Sequence, residues 1–364
     1  MSIEPAWLLN DAERQAYALD NRQFMDARQA TLPNGMRVVD VYNGSGLTYT
    51  LLPDRGLDVW AAHFNGTPLT WIAPGSPHPP DWGADWLRQF NGGLLTTCGL
   101  THAGPPEVDT HTGEQRGLHG SYTRLSAQDV RVERDGRIVV SATVYESRLF
   151  QYHLRVNRRV TSAAGYPEIH VADEITNIGD LPAPLMVLYH INVGFPLIRP
   201  GTRWASASLV HPRDADARAG ATAWDTYDAP SHGYREQVFF HAVRSDDKLR
   251  IANVVVHNRD FGLHVRYRHD ALPYLTQWKN TGYGQYVCGI EPGNCIPEGQ
   301  NAARDAGRLQ TIAPGEAREV SVSLRVLPDE RAVGIALAAV EKDRANGSPT
   351  PSCYLGDYPP VETA

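Results

Sequence analysis

The chain has 364 residues, 42% of them hydrophobic, and a formal net charge of −7. That is enough apolar material for one large domain with a sizeable core. No Lys/Arg block is present to bind nucleic acid, and no apolar run has the length of a membrane span or a signal peptide. Cys98, Cys288, Cys295 and Cys353 form no C-x-x-C pair, so free thiols and a cytoplasmic location are expected.

Residues 1–30 carry a modest helical pattern with Asn10 or Asp11 as a cap, and read as an N-terminal extension. Short strand-like runs follow at 36–42, 47–52 and 57–60. Asn34-Gly35, Asn43-Gly44 and Asn65-Gly66 supply turns, which makes a meander rather than a βαβ alternation. Pro- and Trp-containing residues 74–86 read as a loop. A strand entered through Gly92-Gly93 then runs into a second long loop, 101–118. Asp135-Gly136 marks a hairpin, and the basic side chains of 152–161 (His153, Arg155, Arg158, Arg159) read as one solvated strand face. The apolar run 184–194 reads as a strand buried on both faces, and 195–235 as a weakly patterned excursion. Strands are expected again at 249–257, 261–268, 273–278, 286–290 and 319–326, then a short helix at 332–342 and a tail. Many short strands with Gly, Asn and Pro turns define an all-β chain, a large antiparallel sandwich or barrel over 31–328, followed by a C-terminal helix and tail over 329–364.

The chemistry centres on Tyr286-Val287-Cys288-Gly289-Ile290-Glu291-Pro292-Gly293-Asn294. This is a buried strand with one carboxylate at its end, where Pro-Gly-Asn turns the chain. A partly desolvated carboxyl rises in pKa and becomes a general base. His190 closes the apolar run Pro184-Leu185-Met186-Val187-Leu188-Tyr189, so its imidazole is part-buried and needs a partner. His102 and His119 bracket the 101–118 loop. Three imidazoles and Glu291 would suit a transition metal, but no two lie close in sequence, and neither a metal nor another cofactor is expected. Gly92-Gly93 belongs to no phosphate loop, and Ser121 lacks a G-x-S-x-G setting.

Three ordered segments resemble the aldose 1-epimerase (galactose mutarotase-like) superfamily, and within it an uncharacterised bacterial branch grouped as a domain of unknown function. They are Phe90-Asn91-Gly92-Gly93-Leu94 with the later His119-Gly120, Asp173 to Gly179 with Pro184 to His190, and Val287 to Pro292. The resemblance implies a β-supersandwich with a sugar cleft on one face. It implies Glu291 as the base that takes the anomeric hydroxyl proton, and His190 as the acid that protonates the ring oxygen. His119 would hold sugar hydroxyls, with His102 near the cleft mouth. Trp278, beside Lys279, would stack on the sugar. Asn91 stands near the position of the family's basic residue, and Arg55 would face the cleft in its place. The implied partner is a monosaccharide or modified sugar, with no cofactor, nucleic acid or membrane, bound by a monomer or homodimer. A sugar-binding module without turnover, and a metal-assisted sugar isomerase or lyase, are the alternatives.

Overall fold

Runs that alternate apolar and polar side chains pair as antiparallel strands, because such strands bury one face and wet the other. The computed structural model describes residue 14 and residues 16–245, 248–346, 348–349 and 359–361. An eight-stranded sheet runs in the order Arg203–Ser206, Ile251–His257, Gly262–Arg268, Ala317–Leu327, Glu168–Asn177, His153–Ala163, Arg137–Ser147, Gln128–Arg134. A seven-stranded sheet runs Ser208–Pro212, Gln237–Ser245, Tyr274–Gly282, Gln285–Gly293, Leu188–Gly194, Thr96–Cys98, with Ser348–Pro349 paired off this path. A five-stranded meander from Asp26–Thr31 to Thr67–Pro68 completes the sandwich. One apolar core joins all three: Val156, Val171 and Val322 from the first sheet, Ile191, Cys288 and Ile290 from the second, Val39, Leu51 and Val59 from the third. The expected antiparallel β-sandwich is the observed architecture.

At the junction of the sheets lies a buried charge cluster. Arg158 is fully buried and bonds Asp58 at 2.8 Å and Asp173 at 2.7 Å. It also donates to Thr97 Oγ1, and the Tyr189 hydroxyl donates to Asp173. Thr97 and Tyr189 are register partners in the seven-stranded sheet. The cluster therefore fixes the inner face of the strand that carries His190 on its outer face. Arg158 departs from the solvated face expected for 152–161: two carboxylates balance its charge, so it points inward while Arg159 is exposed.

Other expectations shift locally. Most of the expected N-terminal helix, with Asn10 and Asp11, lies outside the described residues, and 26–31 form a sheet strand instead. The 195–235 excursion holds two strands, Arg203–Ser206 and Ser208–Pro212, and a short helix, Ala215–Ala219. The Glu291 strand does not turn at Pro292. It continues to Gly293, opposite Tyr274 and Leu188. Proline is tolerated because the ladder to Leu188–Gly194 lapses between the Ile290 and Gly293 pairs, where Pro292 has no N–H to give. The C-terminal helix runs Glu330–Asn346 and seats Val333, Ala336 and Val340 on Val255 and Leu327, outside the eight-stranded sheet. Among the described residues no helix is long and apolar enough to cross a membrane.

Candidate active site

Side chains two apart on a strand share a face, and register aligns such positions across a sheet. In the seven-stranded sheet Phe240 opposes Thr276, and Thr276 opposes Glu291. The pairs Leu188–Gly293 and Ile191–Ile290 set His190 opposite Glu291, and His190 opposes Thr96. One row thus crosses five strands. The next row on the same face is Val238, Trp278, Gly289, Asn192. These rows floor a cavity of about 730 Å³, within the roughly 300–1,000 Å³ usual for small-ligand sites.

Glu291 Oε1 lies 3.2 Å from His190 Nε2, and both residues are buried. Burial pushes the Glu291 carboxyl up to about 8, and the nearby Glu236 carboxylate adds to this. Burial pushes the His190 imidazole down to about 3, with His119 adding repulsion. At neutral pH the carboxyl therefore keeps its proton and the imidazole stays uncharged. A neutral contact fits the low-dielectric floor better than two separated charges.

Gly289 makes the contact possible. A Cβ there would stand 2.8 Å from Trp278 Cβ, 3.0 Å from Glu291 Oε1 and 3.3 Å from His190 Cε1. The Trp278 ring lies 5.5 Å from the His190 ring, and its Nε1 donates to Glu236 at 2.8 Å. Glu236 also accepts from Arg213 at 3.1 Å, so the indole is tethered at its polar edge. Opposite stand Phe90, 5.5 Å from His190, and Trp86, stacked on Phe90 at 4.5 Å. His119 sits 4.9 Å from Trp86 and 6.4 Å from His190. It occupies the left-handed region at φ 54°, and burial lowers its pKa to about 4. His119 Nδ1 and Thr276 Oγ1 are buried without a hydrogen-bond partner in the protein.

Four of the residues singled out in the sequence therefore meet at this cavity: Glu291, His190, His119 and Trp278. The other four are committed elsewhere. Arg55 donates to the Gln89 carbonyl at 2.6 Å and to its side chain, anchoring the helix Trp86–Gln89 from beneath. The Asn91 side chain accepts from the His78 N–H and pins the 74–86 loop. Lys279 follows Trp278 on its strand, so it points to the opposite face, where Nζ donates to the Ala223 carbonyl. His102 bonds the Pro105 carbonyl at 2.9 Å and lies 3.5 Å from Glu107, supporting the cavity wall at Gly104-Pro105. Among the described residues, no group of three or more His, Cys, Asp or Glu is placed to hold a metal ion.

Sequence reasoning did not single out Thr276, Phe240, Val238, Arg213, Glu236 or Trp86, and it carried Phe90 only as part of the Phe90–Leu94 motif, not as a wall of the cavity. Period-two alternation from Trp278 does reach Thr276. Glu236 and Arg213 carry no such signal, because they lie in and beside the 195–235 stretch.

A family model described as Domain of unknown function (DUF4432) matches residues 33–326. The chain belongs to that family. Among curated proteins, none matches. A provisionally assigned aldose 1-epimerase from Klebsiella pneumoniae is similar in structure, with TM-score 0.81 and 23% identity over 90% of this chain and 91% of that one. A galactose mutarotase-like protein from Clostridium acetobutylicum gives TM-score 0.58 and 12% identity, covering 84% and 99%. A galactose 1-epimerase from Lactobacillus acidophilus gives 0.57 and 13%, covering 83% and 98%. These likenesses establish the fold as a galactose mutarotase-like β-supersandwich.

Proposed function

We propose that the protein is a cofactor-independent aldose 1-epimerase that interconverts sugar anomers through Glu291 and His190. The carrying observation is the 3.2 Å contact between carboxyl and imidazole on the cavity floor. Opening a hemiacetal removes a proton from O1 and adds one to the ring oxygen O5. These oxygens share the anomeric carbon, so an acid and a base in mutual contact span them. When the sugar hydroxyl bonds Oε1, it favours the ionised carboxyl, and the carboxyl proton passes to Nε2. Glu291 then takes the O1 proton while Nε2–H gives its proton to O5, and the C1–O5 bond breaks to leave an open-chain aldehyde. The pair is now neutral, the form that burial favours. Rotation about C1–C2 and the reverse transfers close the other anomer, with no net proton gained or lost. His119 is placed to bond sugar hydroxyls, and Trp278 and Phe90 offer faces to the ring's C–H groups.

The test is exchange NMR of anomeric protons over a panel of aldoses, with wild type and Glu291→Gln. Enzyme-dependent exchange that disappears in the variant supports the proposal. Binding without exchange by the wild type would show a sugar-binding module instead.

A further inference from the structure

The cavity extends past the acid–base pair, and its chemistry changes along the floor. Glu291 and His190 occupy one side. Two strand spacings away, about 10 Å, the floor is Val238 and Phe240. Ile296 packs beside them, and the three form one buried apolar cluster with Trp278 at its edge. That separation exceeds the width of a pyranose ring. A ring seated over the pair reaches Thr276 and Trp278, and only a substituent on it reaches the Val238–Phe240–Ile296 strip.

The charges around the cavity say what kind of substituent. Arg213 pairs with Glu236 at 3.1 Å and with Asp214 at 2.7 Å, and Arg308 with Glu298 at 2.5 Å. Each guanidinium facing the cavity thus has at least one carboxylate partner, and Glu291 is neutral at neutral pH. No uncompensated cation invites a phosphate or a carboxylate. A hydroxyl pressed onto the strip would lose its water and gain no partner from Val238, Phe240 or Ile296.

We propose that this strip is a subsite for an alkyl or acyl group, and that the protein acts on a neutral aldose in which a hydroxyl remote from C1 is replaced or capped by such a group. The occupant follows from continuity, since the strip and the pair belong to one cavity and one sheet face. The inference rests on the anomeric reading above for its turnover, but the subsite itself can be read from binding.

The experiment compares parent and capped sugars in matched pairs: glucose with 3-O-methylglucose, 6-O-methylglucose and 6-O-acetylglucose. Exchange NMR gives kcat/KM for each, and saturation-transfer NMR maps which ligand protons lie closest to the protein. At least one capped sugar should exceed its parent by about tenfold or more, the scale of a methyl group in an apolar pocket. Its substituent protons should show the strongest saturation transfer. Val238→Thr keeps the shape but adds a hydroxyl, and should erase most of the preference. Phe240→Tyr is the second variant, should the first be poorly folded. Equal kcat/KM within every pair, or a preference that both variants leave intact, overturns the subsite and leaves the epimerase reading standing. If the wild type exchanges no sugar, the epimerase reading fails. Saturation transfer centred on the substituent would then still support the subsite, and transfer centred on the ring would overturn it.

Discussion

The Glu291 carboxyl and the His190 imidazole meet at 3.2 Å across neighbouring strands, with the glycine of the adjacent row leaving room for the contact. Each alone would be a costly buried group. Together they form a neutral contact, within which the proposed chemistry moves one proton.

Removing either partner should stop the proposed chemistry. Glu291→Gln and His190→Asn should each lower kcat by roughly 10²–10⁴-fold, the usual worth of one general acid or base. Sugar affinity should change little. Anomeric exchange rates with a titration of binding check both, and an unaltered rate in Glu291→Gln would remove it as the base.

Under the proposed chemistry, the pH profile of kcat/KM should differ from that of an exposed catalytic imidazole. The singly protonated pair persists from about 3, where His190 gains a proton, to about 8, where Glu291 loses one. Activity should stay level through the range where exposed imidazoles titrate and fall above about 8. A limb near pH 6.5 would show that His190 titrates as a solvated group.

Gly289→Ala should damage the site more than the fold. The new methyl meets Trp278, Glu291 and His190 at once, and something must shift by several tenths of an ångström. The expected result is at least a tenfold loss in kcat with a modest fall in Tm. Equal Tm and equal kcat would show that the contact tolerates displacement.

Arg158→Met should destabilise strongly. It leaves Asp58 and Asp173 buried without their cation, a change worth about 3–5 kcal/mol. Adding Asp58→Asn and Asp173→Asn should recover a large part, because the uncompensated charges go as well. Urea unfolding of the single and triple variants checks this.

Acid should weaken the fold below pH 6.5. His119, His190, His241 and His264 are all depressed to about 3–4, chiefly by burial. The unfolded chain takes up protons from pH 6.5 downward while the folded protein does not, so stability falls until the folded values are reached. Each imidazole contributes up to about 1.4 kcal/mol per pH unit. Glu291 acts oppositely. Its raised pKa means that stability is lost as pH climbs from 4.5 to about 8, so Glu291→Gln should gain on wild type across that window. His102, His170 and His269 are also depressed, while Asp58 and Glu146 join Glu291 in being raised, so seven depressed imidazoles outweigh three raised carboxyls and the net trend between pH 6.5 and 4.5 should be a loss. Denaturation midpoints at several pH values test both signs.

Much of this architecture was legible because strand alternation is local. Val130 to Val144 shows its hairpin in a handful of residues, and Glu291 and His190 announced themselves as lone ionisable groups beside apolar runs. What could not be read depends on register. Whether Lys279 or Trp278 faces the cavity turns on a single residue of phase, and Arg158 and Arg159 take opposite faces of one strand for the same reason. Arg55 reads as a cleft cation only through the family resemblance, and its partner, Gln89, lies on another element. The 195–235 stretch hid two strands because Pro, Asp and Ala blur the alternation.

The row from Phe240 to Thr96 has a consequence for how the proposed activity would arise in folding. His190 and Glu291 come from distant parts of the chain and meet only when their strands pair in one register. Such non-local pairing forms late and slowly compared with hairpins. During refolding, recovered turnover would therefore time the zipping of these two strands, while burial of tryptophan would time the earlier collapse. A protein rescued from denaturant could look folded by fluorescence and still be catalytically silent until that seam has closed.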